Sequence, residues 1–157
     1  MIGKKNIAFG FIFLVFTAAL GPLMVKKYET YFQVLGEKQE TVGRLQQLQQ
    51  NNFEEMLEPL PAEAIAKANT AGILSLNKLG NVEMDIDMIK GGPHAHGNLE
   101  SLLNIAVGIT LSFLAISTLF KQVISWVFII GALLHSGMLY LSRVFGMGWA
   151  ESLLNTG

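Results

Sequence analysis

Residues 91–104, GGPHAHGNLESLLN, gather His94, His96, Glu100 and Asn104 at the start of an apolar run, and His135 lies inside the next one. Imidazole, carboxylate and amide groups at the edge of lipid are unfavourable unless paired, hydrated or ligated, so they mark a candidate functional site. A neutral imidazole from His94, His96 or His135 suits a metal ion or haem iron, with polar neighbours orienting it. Two other readings use the same residues. In one, Asn104 hydrogen-bonds His135 and Glu100 pairs with Arg143 purely to hold helices together, at about 1 kcal/mol each. In the other, His135 and Glu100 relay protons, a reading weakened by the lack of charge in the inner half of either apolar run.

Much other chemistry is excluded. The chain has no cysteine, so disulfides, thiolate zinc sites, iron–sulfur clusters and CxxCH haem attachment are ruled out. No Gly-rich phosphate loop, GxSxG or HExxH occurs, leaving nucleotide hydrolysis and common hydrolase chemistry unsupported. The eleven Lys and Arg are scattered rather than gathered into a stripe, so nucleic acid is not an expected partner.

The elements that must position these groups are membrane helices. Of the 157 residues, 51% are hydrophobic and the net charge is −1, a composition that points to a membrane protein. Three apolar stretches, 6–25, 101–120 and 122–142, approach the ~20 residues a bilayer core requires. The expected fold is therefore an all-α membrane protein, with three transmembrane helices and a mostly helical extramembrane layer between the first and second. Residues 1–27 read as an N-terminal transmembrane signal anchor, 28–93 as an acidic extramembrane layer, and 94–157 as a transmembrane hairpin carrying the polar cluster. Lys4, Lys5 and Lys121 place the N-terminus and the hairpin turn on the cytoplasmic side of the cell (inner) membrane. Residues 28–97 and the C-terminus then lie outside.

Within the extramembrane layer, ten Asp or Glu stand against five Lys or Arg over residues 28–97. Val42, Leu45, Leu48, Phe53 and Met56 predict an amphipathic helix over 37–58. Pro61 predicts the start of a second helix running to Leu79 with Gly80 as its cap. The alternation of Val82, Met84, Ile86 and Met88 with Glu83, Asp85 and Asp87 predicts a short strand.

On the second membrane helix, His96, Glu100, Asn104, Gly108 and Ser112 recur every four residues, a polar and small-residue face that must meet protein, cofactor or water. On the third, Gly131, His135, Met138 and Ser142 share a face, with Tyr140 and Arg143 on an adjacent one. With the turn at Lys121 and a rise of ~1.5 Å per residue, Asn104 at about 9 Å depth and His135 at about 12 Å become level. The expectation is that Asn104 meets His135.

Residues 94–145 resemble the membrane core of the styrene oxide isomerase family and related small haem-binding membrane proteins. NLESLLN, residues 98–104, is similar to that family's HLEGLLNG pattern, with Asn104 matching its Asn and Tyr140 in MLYLSRVF matching its Tyr. Asn98 stands where the ligating His would be and His96 lies two residues earlier, so a haem ligand here would have to shift. The resemblance implies haem b held between protomers, its ferric iron acting as a Lewis acid on an epoxide oxygen, with Asn104 and Tyr140 as the catalytic residues that position substrate. The broader expectation is a haem b or metal site near the outer membrane face, bound through His94, His96, His135 and Asn104. It would act in a homo-oligomer or as a subunit of a larger membrane complex, in an isomerase-like or redox role. The alternative is a non-catalytic accessory subunit bracing a respiratory or oxidising enzyme. Partners under either reading are the lipid bilayer and other transmembrane helices.

Overall fold

The computed structural model describes residues 2–154, which are helical almost throughout. In chain order the elements are α1 (Gly3–Ala18), α2 (Leu20–Gln50), β1 (Glu54–Glu55), β2 (Glu58–Pro59), α3 (Ala62–Ile89), α4 (Ala95–Phe113), α5 (Thr118–Ala132), α6 (Met138–Phe145) and α7 (Gly148–Leu154). A kink at Lys90–His94, where Gly92 leaves helical φ/ψ ahead of Pro93, leads into α4, and a single π-helical turn, Leu133–Gly137, leads into α6. The chain divides into two compact units, Met1–Met24 with Asp87–Gly157, and Val25–Ile86.

The first unit is built around α4, whose most extensive partner is α1. Small residues make this approach close. A Cβ on Gly108 would lie 2.5 Å from the Gly3 carbonyl oxygen, and one on Gly10 would lie 2.6 Å from that of Ser101. Gly97, Ser101, Asn104, Gly108 and Leu111 are the buried positions of α4. Of the face expected from the sequence, Asn104 and Gly108 pack against protein, Glu100 is half-buried, and His96 and Ser112 are exposed, because the packed face is rotated toward Gly97 and Ser101. At the beginning of α1, Lys5 Nζ donates to Gln122 Oε1 at 2.6 Å and sits 4.2 Å from the centre of the Trp126 ring. The start of α1 therefore meets the start of α5, and α4 runs antiparallel to both.

The hairpin between α4 and α5 turns at residues 114–117, earlier than the turn expected at Lys121. Ser117 is the reason: its hydroxyl accepts the Phe120 backbone N–H at 3.4 Å and caps α5. Beyond the π turn, α6 ends at Gly146, whose φ of 65° lets the Met147 N–H reach back to the Leu141 carbonyl. Arg143 Nη1 then ties α6 to α7 through Glu151 Oε1 at 3.0 Å.

Two helical runs, Gly3–Gln50 and Thr118–Phe145, are long and apolar enough to cross a membrane by length and composition. The expected middle span is not among them. His96, Asn98, Glu100 and Asn104 dilute the hydropathy of α4, the helix that uses its polar groups to bond its neighbours.

The second unit is a helical hairpin formed by α2 and α3. Val34 and Leu48 on α2 and Leu79 and Ile86 on α3 are its buried apolar residues. Thr41 and Ser75 share a hydrogen bond of 2.7 Å, while Lys78–Glu37 at 2.6 Å and Lys27–Asp85 at 3.5 Å pair the helices further along. The secondary structure here corrects three expectations. The helix expected over 37–58 stops at Gln50, because residues 54–59 form a two-stranded hairpin. α3 passes through Gly80, and the strand expected over 82–88 is helical to Ile89. Leu79 and Ile86, seven residues apart, are buried while Met84 is exposed, so a helical stripe overrides the local alternation.

The β-hairpin at the tip turns through Met56 and Leu57, between the paired Glu55 and Glu58. Asn52, Phe53, Met56 and Leu57 all have positive φ, from 52° to 69°. A two-residue turn with both φ positive is ordinarily made by Asn-Gly or a similar pair. Holding bulky L-residues there is unfavourable by roughly 1–2 kcal/mol each.

Candidate functional site

The polar side chains of the first unit form two clusters. The deeper one joins three helices. Asn6 Nδ2 on α1 donates to Asn104 Oδ1 at 3.1 Å and to the Ser125 carbonyl at 3.0 Å, and Ser125 Oγ donates to Asn6 Oδ1. Asn104 Nδ2 donates to the Glu100 carbonyl at 3.0 Å and to the Phe128 carbonyl at 3.2 Å. Asn6, Asn104 and Ser125 are each no more than 1% exposed. Every amide proton of both asparagines is donated, which makes the cluster a satisfied clamp between α1, α4 and α5.

The second cluster carries the imidazoles. His135 Nδ1 donates to Glu100 Oε1 at 2.7 Å, and the His96 ring stands edge-on to the His135 ring with centroids 4.9 Å apart. His135 is about half exposed, with 48% of its side chain open. Because Nδ1 holds the proton shared with Glu100, the Nε2 lone pair of a neutral His135 is free to ligate, an arrangement typical of carboxylate-oriented metal ligands. Two buried polar atoms beside it have no partner among the described residues, Glu100 Oε2 and Ser136 Oγ. The kink bearing His94 and the π turn bearing His135 and Ser136 both touch this region, and only the second is a π-bulge. Such bulges re-aim side chains and recur at functional sites.

A cleft of about 270 Å³ lies between α4 and α5, lined by Glu100, Leu103, Asn104, Val127, Phe128 and Gly131 among others; His135 does not line it, and Glu100 is the residue the cleft shares with the imidazole pair. The donor set fits a group needing one or two imidazoles, and the two unpartnered oxygens offer further polar contacts. Among the described residues no three His, Asp or Glu side chains converge as a metal cage.

The structure brings His96, His135 and Glu100 together. His94 turns away, its Nδ1 donating to the Thr17 carbonyl at 3.1 Å. Tyr140 lies with Phe9, Phe13 and Phe16 along a separate apolar groove, so it does not share a cleft with Asn104 within one chain. Asn104 does not meet His135, and Glu100 does not meet Arg143. The earlier turn slides α5 and α6 along α4, so that Glu100 faces His135 and Asn104 faces Phe128, while Arg143 reaches Met88 Sδ and Glu151.

Asn6, Ser125 and Thr17 were not foreseen as site residues. Thr17 Oγ1 donates to Asn98 Oδ1 at 2.7 Å, a second polar tie between α1 and α4. Their sequence signal is a lone polar residue within an apolar run, which for Asn6 is masked by its position at the run's edge. Comparison with protein-family models, with curated proteins and with solved structures found no match.

Proposed function

We propose that this is an integral membrane protein that holds a haem b or a metal ion near its outer face, with His135 as principal ligand and His96 beside it. The three apolar helices α1, α4 and α5–α6 span the bilayer in this reading, with Lys4, Lys5 and Lys121 at the cytoplasmic side. The observation that carries it is the Glu100–His135 pair, which engages Nδ1 of a half-exposed imidazole and leaves Nε2 without a hydrogen-bond partner among the described residues. Bound there, the group would supply a Lewis-acidic or redox-active centre. Glu100 orients His135, Ser136 Oγ and Glu100 Oε2 offer hydrogen-bonding capacity, and Asn6, Asn104 and Ser125 hold the helices in register. A half-exposed ligand leaves the rest of its surroundings to another subunit, which favours action in a homo-oligomer or a larger complex.

The saturation of Asn104 and the distance of Tyr140 from its cleft favour a second reading, a non-catalytic accessory subunit bracing a membrane respiratory or oxidising enzyme. Metal analysis of the detergent-purified protein and of its His135→Ala variant separates the two. The cofactor reading expects a stoichiometric metal or haem iron content that falls in the variant; equal, negligible content in both favours the brace.

A further inference from the structure

The turn of the β-hairpin places the most exposed large apolar side chains of the described residues, Met56 at 99% and Leu57 at 93% exposure, at the free end of the α2–α3 arm. Both are held in the left-handed region, where their side chains gain no packing in return for the strain. An outlier of this kind is the starting point for a functional hypothesis. Glu54, Glu55 and Glu58 flank the pair, and only Glu55 has a cationic partner, Arg44 at 3.5 Å. We propose that Met56 and Leu57 are a docking plug for a different protein, entering an apolar pocket rimmed by Lys or Arg.

The charge around the plug selects the occupant. Segments that insert into a bilayer surface carry Lys or Arg toward anionic headgroups, whereas three glutamates beside this pair oppose that approach. A second copy of the chain offers no matching receptor among the grooves described. The apolar groove along Phe9, Phe13 and Phe16 is lined by no cation, and the cleft at Glu100 is acidic. The arm's own groove contains Arg44 and Lys67, but these already pair with Glu55 and Glu63. A partner protein that brings its own cations to an apolar pocket satisfies both features of the tip, as buried apolar anchors with a charged rim do at other interfaces.

The test places a photo-crosslinking phenylalanine analogue at position 56 of the full chain in native membranes, with adducts identified by mass spectrometry. The proposal expects one principal protein adduct, mapped to an apolar pocket bearing Lys or Arg and lost in the double variant Glu54→Lys, Glu58→Lys. Leu57→Asn is the second variant: Asn tolerates positive φ, so the hairpin keeps its fold, and the adduct is still expected to be lost. Adducts with lipid alone, with a second copy of this chain alone, or with a protein after both variants would overturn the proposal, as would no adduct at all.

Discussion

At the residue scale, the two clusters differ in what their polar atoms are committed to. The asparagines are saturated, and their value is structural. Replacing Asn104 by Leu leaves one of the two Asn6 amide protons without an acceptor and frees the Phe128 carbonyl, so we expect a loss of about 1–3 kcal/mol, read as a lowered Tm in detergent. A double-mutant cycle with Asn6→Leu should show a coupling of opposite sign to the single losses, because removing both partners leaves fewer orphaned groups than removing one. Independent, additive losses would show that the clamp is not a unit. His135 is committed on one nitrogen only. Glu100→Gln should therefore weaken metal or haem retention by roughly 10–100-fold while leaving the fold intact, measured by equilibrium dialysis or spectral titration. Retention unchanged by that substitution would remove the orienting role assigned to Glu100.

At the scale of elements, α1 and α4 are locked by backbone approach rather than by large side chains. Gly108→Leu must displace the Gly3 carbonyl and Ile7, so it should reduce stability sharply, whereas Gly131→Ala, where an added Cβ meets nothing within 4 Å, should be nearly neutral. Thermal unfolding of the two variants side by side checks this, and equal effects would contradict the packing described. The β-hairpin gives the opposite sign. Met56→Asn with Leu57→Gly fits the positive φ values and should stabilise the arm by about 1–2 kcal/mol; its urea midpoint is the readout. The sequence made some of this legible and hid the rest. The buried face of α4 was readable at Asn104 and Gly108, but a strict four-residue spacing drifts off a helix of about 3.6 residues per turn, so Gly97, Ser101 and Leu111 are buried where His96, Glu100 and Ser112 were expected. The helix expected over 37–58 is present to Gln50 and gives way there to the β-hairpin at 54–59, whose turn carries no Gly or Asn-Gly signal. The strand expected over 82–88 is helical because burial of Leu79 and Ile86 on one helical face outweighs the local alternation. The pairing of Glu100 with His135 was hidden by the hairpin turn, since a cap at Ser117 rather than a charge at Lys121 sets the register.

At the scale of the molecule, a unit with apolar helices and a more polar helical hairpin share one chain. The buried polar clamp unites three helices of unequal hydropathy, and it satisfies the Asn6 and Asn104 amides that an apolar surrounding would leave unpaired. The absence of cysteine makes the topology directly testable with single introduced thiols. A thiol at Thr118 should be protected from an impermeant reagent added outside cells and one at Glu40 labelled; the reverse pattern would invert the orientation. The central claim, that His135 is the ligand of a bound cofactor, is tested most directly by the oxidised and reduced optical spectra of the detergent-purified protein, with metal content measured on the same sample. The account predicts a stoichiometric Soret band or an equivalent of bound metal that is lost in His135→Ala. A folded wild-type protein with neither chromophore nor metal would contradict it and leave the imidazole pair as a packing contact.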